Sequence, residues 1–246
     1  MRKRESFNSR WGFILACIGS AVGMGNIWMF PTRVSLYGGG AFLIPYFIFV
    51  ILIGFTGVIS EMSFGRATRS GPIDAFGIAC ESRGHRKAGE ALGWIPVLGA
   101  LAMAIGYTVV MGWILKYTIG TFTGAVLAPA DIDGFAGAFG SMASSFGNNF
   151  WQTAALVICM IILMFGVGSG IEKANKIMMP VFFVLFIILG IYVAFQPGAV
   201  DGYHYIFRVD PKALSDPVTW IFALGQAFFS LSVAGNGTLI YGSYLP

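Results

Sequence analysis

Charged residues divide this chain into long uncharged stretches. None falls between Arg10 and Arg33, Arg33 and Glu61, Glu90 and Lys116, Asp133 and Glu172, Lys176 and Asp201, or from Asp216 to Pro246. Each stretch meets or exceeds the ~20 apolar residues that one helix needs to cross the hydrocarbon core of a bilayer. The pattern predicts six helices, near 11–35, 39–65, 90–125, 149–169, 174–196 and 218–246, in a single transmembrane domain over 1–246. The segment Arg66 to Glu90 is too polar to cross and reads as a short amphipathic connection on the inner surface. The first stretch follows Arg2, Lys3 and Arg4 as a signal peptide would, but it lacks a small-residue cleavage site and further spans follow, so it reads as a retained helix.

Composition sharpens this picture. Of 246 residues, 57% are hydrophobic and 11% charged, against about 25% charged in a soluble domain, and the mean hydropathy is +0.77. A water-soluble fold is excluded, and no room is left for a separate catalytic domain. The net charge of +4 reads as basic inner loops rather than as a nucleic-acid surface. Arg2, Lys3, Arg4 and Arg10 precede the first span; Arg66, Arg69, Arg83, Arg86 and Lys87 follow the second; Lys173 and Lys176 follow the fourth. The alternate loops hold Asp131, Asp133, Asp201, Asp210 and Asp216. The positive-inside rule then places the N-terminus in the cytoplasm of a multi-pass protein of the cytoplasmic membrane. Lys116, inside the third span, is expected to snorkel to the outer interface.

Enzyme chemistry finds no support. Cys17, Cys80 and Cys159 have no CxxC spacing, His85 and His204 lie in loops of opposite sidedness, and no Ser–His–Asp set, phosphate loop or metal-ligand spacing is present. A channel would need a continuous polar path, and the chain offers one local polar cluster.

That cluster lies among the 34 glycines. The first span contains SAVGMGNIW, Ser20 to Trp28, before Met29, Phe30 and Pro31. Gly23 and Gly25 beside Asn26 either weaken the helical hydrogen-bond ladder at one place or form a close packing face. The sixth span carries SVAGNGT, Ser232 to Thr238, which repeats Ser, two small apolar residues, Gly, any residue, Gly, then Asn or Thr. Paired interruptions in corresponding helices point to a transporter binding site, since irregular backbone inside a bilayer survives only where protein or a polar cavity surrounds it.

Four runs in order, RWGFILACIGSAVGMGNIWMFP, GGGAFLIPY, GIEKANKIMMP and GQAFFSLS, resemble the neurotransmitter:sodium symporters, in particular their LeuT-like bacterial branch. The resemblance extends from Arg4 to Leu245. It implies an all-α polytopic membrane protein with the LeuT-like inverted-repeat fold: the first five-helix repeat plus helix 6, with helices 1 and 6 unwound at mid-membrane. It further implies sodium-coupled symport of an amino acid by alternating access, with the substrate, sodium and the lipid bilayer as partners and no nucleic acid. The alternative is a non-transporting fragment or half-transporter that needs a second chain to complete the sodium sites.

By this resemblance a first sodium ion is held by the Ala21 carbonyl, the Asn26 side-chain oxygen and Ser230, where relatives usually carry Thr. A second takes the carbonyls of Gly19 and Val22, its other ligands lying on helices after Pro246. The substrate carboxylate meets N–H groups around Met24 and Gly25 and the Tyr107 hydroxyl, whose alternative reading is an ordinary interfacial aromatic. The amino group meets oxygens at Ala21, Phe229, Ser230 and Ser232. Phe229 caps the pocket, and Met103 and Gly235 line it. A glycine at 235 where relatives keep bulk leans the substrate toward larger or aromatic amino acids. Arg4 matches an inner-gate arginine, Phe7 replaces a tryptophan there, and Met29 replaces a basic outer-gate residue. Glu61 is expected to hydrogen-bond the unwound part of helix 1, with proton carriage as the sharper alternative. Gln226 and Tyr46, with Ser230, occupy positions that bind chloride in chloride-dependent relatives, and the need for chloride turns on a seventh helix.

Overall fold

The computed structural model describes residues 6–129 and 131–245; Arg4 lies outside them. The chain forms two compact units, one from Met1–Val97 with Val167–Pro246 and the other from Leu98–Gly166. All elements among the described residues are helical apart from one isolated antiparallel bridge between Gly39 and Val209.

In the first unit, α1 (Arg10–Ala21) starts at Ser9, whose hydroxyl accepts the Gly12 N–H at 3.0 Å, satisfying one of the orphan donors of a helix start. A π-helical turn at Gly25–Met29 leads into α2 (Phe30–Leu36), and this second half is bent by 54° from α1. The expected helix 11–35 is thus two helices. Next, α3 (Gly40–Ile53) runs through a π turn at Gly54–Val58 into α4 (Ile59–Thr68), and α5 (Pro72–Glu81) follows. Then α6 (Arg86–Thr123) passes from the first unit into the second, where α7 (Ile132–Ala143) and α8 (Asn149–Met164) lie. A π turn at Val167–Ile171 returns the chain to the first unit and α9 (Glu172–Ala194). The short α10 (Ala199–Phe207) and α11 (Pro211–Ser215) precede α12 (Pro217–Leu231) and α13 (Gly237–Ser243).

Among the described residues, three continuous helices are long and apolar enough to cross a membrane, Gly40–Thr68, Arg86–Thr123 and Val167–Ala194, with the bent pair Arg10–Ala21 and Gly25–Leu36 as a fourth. Asn149–Met164 and Pro217–Leu231 are apolar but shorter. Helices α7, α10 and α11 escape the charge pattern because a short loop helix has no 20-residue apolar run. Acidic residues in these loops cap helix starts. Asp131, Asp210 and Asp216 accept the N–H groups of Gly134, Lys212 and Val218 at 2.7, 2.9 and 2.9 Å, each an N-cap that also favours the positive helix end.

Three helix pairings hold the first unit. Phe42 of α3 and Ala223 of α12 are both fully buried beside Val34, and Phe30, Tyr37, Tyr46 and Phe222 pack around them. Between α4 and α13, a Cβ built on Gly65 would run into the Leu239 carbonyl, and one on Gly242 into the Met62 carbonyl. Each glycine lets the other helix's backbone approach, the contact that drives helix association where lipid replaces water.

The third pairing joins α1 to α9 through Glu172, a residue the sequence pattern does not single out. Its carboxylate is completely buried and accepts from the Asn8 N–H at 2.6 Å, the Ser9 hydroxyl at 2.9 Å and Lys176 Nζ at 2.6 Å. A side chain on Gly12 would occupy the carboxylate's place. A buried charge survives only when it is hydrogen-bonded and paired, so Glu172→Ala, which removes three partners, is expected to cost about 3 kcal/mol. Unfolding titrations in mixed micelles measure this; a change below about 0.5 kcal/mol contradicts the assignment.

Candidate functional site

The two interruptions meet inside the first unit. At the first, α1 ends at Ala21 and the chain turns through Val22 to Met24 before the helix resumes at Gly25. The Gly23 N–H donates to the Ala21 carbonyl at 3.1 Å, and the Asn26 N–H to the Gly23 carbonyl at 3.0 Å. At the second, α12 ends at Leu231 and α13 begins at Gly237. Here the left-handed conformations belong to Ser232 (φ 53°), Ala234 (φ 64°) and Asn236 (φ 66°) rather than to glycine. Three non-glycine residues in that region cost of order 1–2 kcal/mol each, so the surroundings must hold this break open.

Glu61 of α4 does that holding. Its Oε1 accepts the Ala234 N–H at 2.7 Å, and its Oε2 accepts from the Thr238 hydroxyl. The family resemblance leads one to expect Glu61 on the unwound part of helix 1; the carboxylate instead clasps the break of helix 6. The reason is the glycine pairing described above, which brings α13 and the backbone before it against α4.

Side chains tie the two breaks together. Asn26 Nδ2 donates to the Ala21 carbonyl at 2.8 Å, while its Oδ1 accepts from the Ser230 hydroxyl at 2.5 Å. Gln226 Nε2 donates to the Gly25 carbonyl at 3.2 Å and to Ser230 Oγ at 3.3 Å. The Ser232 hydroxyl donates to the Ser20 carbonyl at 3.0 Å. Ala21, Gly25, Asn26, Gln226 and Ser230 therefore form one bonded chain. Gly25 has a second role, because a Cβ there would overlap the Phe229 ring. The packing-face reading of this glycine and the helix break coexist.

Chemically, the cluster is neutral and rich in oxygen. The Ala21 carbonyl, Asn26 Oδ1 and Ser230 Oγ are acceptors suited to a hard cation. The Ser230 hydroxyl donates to Asn26 Oδ1 at 2.5 Å, which leaves no space for an ion between the two oxygens. Cation binding requires that hydroxyl proton to swing outward. Gln226 is 2% exposed and its Oε1 has no hydrogen-bond partner among the described residues. A buried orphan acceptor is costly.

The other expected residues lie around this centre. Gly19 packs against Asn175 of α9, and Val22 caps α1 with its N–H on the Ile18 carbonyl at 2.7 Å. Met24 precedes the π turn, and Gly235 lies in the second break with its N–H on the Ser232 carbonyl at 3.3 Å. Tyr46 is stacked on Phe42 and tilted against Phe30. Phe7 makes edge contacts with Phe13, Tyr241 and Tyr244 at centroid distances of 5.3, 5.8 and 6.1 Å. Met29 Sδ is 3.8 Å from Arg33 Nη2, and the Arg33 guanidinium lies 4.3 Å from the centre of the Phe222 ring, within cation–π range. Arg33 is not among the residues expected at the site, although a cation one turn beyond Met29 on the same helix is a signal the sequence carries. Met103 and Tyr107 belong to the part of α6 in the second unit.

These features define a multi-pass helical membrane protein with two interrupted helices joined by a neutral, oxygen-rich polar cluster. The description "Sodium:neurotransmitter symporter family" fits residues 4–129 and 137–246, and the chain belongs to that family. It is 34% identical over its whole length to the uncharacterized sodium-dependent transporter YhdH of Bacillus subtilis, covering 53% of that protein. It is 30% identical over 99% of its length to the sodium-dependent neutral amino acid transporter B(0)AT3 of Mus musculus, covering 43% of it. Among solved structures, that of MhsT in complex with L-phenylalanine matches 98% of this chain with a TM-score of 0.85 and 38% identity, covering 54% of MhsT. The chain thus spans about half the length of the relatives it matches.

Proposed function

We propose that this protein provides the substrate site of a sodium-coupled amino-acid symporter in the cytoplasmic membrane, with its N-terminus in the cytoplasm. The carrying observation is the bonded chain from Ala21 through Asn26 to Ser230, which joins the two breaks with uncharged oxygens. Sodium enters as the Ser230 hydroxyl turns its proton away from Asn26, and it is coordinated by the Ala21 carbonyl, Asn26 Oδ1 and the neutral Ser230 oxygen. A second ion uses the carbonyls of Gly19 and Val22 with ligands from helices beyond the sixth, in the same or a second chain. The substrate carboxylate lies at the helix start around Met24 and Gly25, where the helix-start N–H groups and the dipole favour an anion. Its amino group meets oxygens at Ala21, Phe229, Ser230 and Ser232. Phe229 and Gly235 shape the pocket. Glu61 positions the second break. Phe7 closes the inner side; Arg33 over Phe222 supplies outer closure where Met29 has no charge.

A larger, aromatic substrate is favoured by the glycine at 235 and by the likeness to MhsT, which was solved with L-phenylalanine. The test is uptake of radiolabelled amino acids by cells expressing the protein together with the helices that follow the sixth. Accumulation of phenylalanine, tryptophan or leucine under an inward sodium gradient and not a potassium gradient is expected. No sodium-driven uptake of any amino acid overturns the reading.

A further inference from the structure

The second unit contains a cleft of about 230 Å³ between α6, the loop after it, α7 and α8. Its walls are apolar and aromatic, with Tyr117, Val126, Pro129, Phe135 and Trp151 among them, and one cation, Lys116, enters it. Lys116 is the sole Lys or Arg between Lys87 and Lys173. It is half-buried and has no hydrogen-bond or ion-pair partner among the described residues. A cation held against apolar walls without a counter-charge loses part of its hydration unrepaid.

We propose that this cleft binds one anionic membrane lipid, with the headgroup phosphate on the Lys116 ammonium and the start of an acyl chain along the aromatic walls. Size, depth and chemistry agree. At about 30 Å³ per water-sized group, 230 Å³ accommodates roughly eight such groups, enough for a headgroup fragment and a few methylenes but not a whole lipid. Twenty-six residues of one continuous helix separate Glu90 from Lys116, about 39 Å at the α-helical rise. That exceeds the ~30 Å hydrocarbon core and stays within the ~40–45 Å of the whole bilayer, so when Glu90 lies at one interface Lys116 lies at the headgroups of the other. A bare anion would leave the aromatic walls unused, and a pure hydrocarbon would leave the ammonium unpaired. A zwitterionic lipid brings an ammonium of its own that competes with Lys116.

Native mass spectrometry of the whole protein released from nanodiscs of phosphatidylglycerol and phosphatidylcholine tests this. The wild type is expected to retain one phosphatidylglycerol per chain. Lys116→Gln is expected to lower the retained fraction at least tenfold, and Lys116→Arg to preserve it. Ala138→Phe, which narrows the cleft without touching the charge, should also lose the lipid, with circular dichroism reporting that each variant is folded. Equal retention by wild type and Lys116→Gln overturns the proposal, as does retention of phosphatidylcholine equal to phosphatidylglycerol. Capture of a soluble carboxylate such as octanoate without retention of bilayer lipid also overturns it.

Discussion

A leucine at position 65 is expected to abolish the folded protein. Gly65 is buried where α4 crosses α13, and even a Cβ there meets the Leu239 carbonyl and the Ser243 backbone nitrogen. These are backbone atoms, so no rotamer change relieves the overlap and the helices must separate. Ordinary overpacking costs about 1–3 kcal/mol; separating this crossing also removes the Glu61 bonds that hold Ala234 and Thr238. Charge-assisted bonds of that kind contribute about 1.5–3 kcal/mol each, and together these losses approach the whole stability of a typical domain. Gly242→Leu should behave alike, since its Cβ meets the Met62 backbone. Gly190→Leu on α9, where a Cβ meets nothing within 4 Å, should run as wild type. Fluorescence-detected gel filtration separates these outcomes, and a normal monodisperse peak from Gly65→Leu would contradict the packing described for α4 and α13.

Asn26→Ala is expected to have the largest effect on function. One side chain both donates to Ala21 and accepts from Ser230, so its loss uncouples the breaks and, in the proposed function, removes an ion ligand. The sodium concentration for half-maximal substrate binding should rise at least tenfold, equivalent to about 1.4 kcal/mol or more. Ser230→Ala should act in the same direction, whereas Ser230→Thr retains the hydroxyl and should stay near wild type. Sodium activation curves at fixed substrate read all three. An unchanged half-saturation in Asn26→Ala removes this side chain from the ion site.

Much of this arrangement is legible in one dimension because its causes are local. The uncharged stretches mark the long helices, and the SAVGMGN and SVAGNGT runs mark where two of them stop, since small residues beside Ser and Asn weaken the helical ladder in place. What is not legible depends on partners far away in sequence. Nothing near Ile171 announces that Glu172 reaches back to Asn8 and Ser9, and the fit of Gly65 to Leu239 and of Gly242 to Met62 joins residues more than 170 positions apart. The placement of Glu61 follows from that fit. The second break also takes its left-handed turns at Ser232, Ala234 and Asn236 while its glycines do not, a choice set by tertiary bonds rather than by residue propensity.

The central claim is that the two breaks form an amino-acid site that requires sodium. Equilibrium binding of radiolabelled L-phenylalanine and L-leucine, to membranes containing the protein and the helices beyond the sixth, tests it most directly when sodium is exchanged for potassium at constant ionic strength. Saturable binding is expected in sodium, lost in potassium and weakened by Asn26→Ala. Binding of equal strength in both salts would contradict the claim.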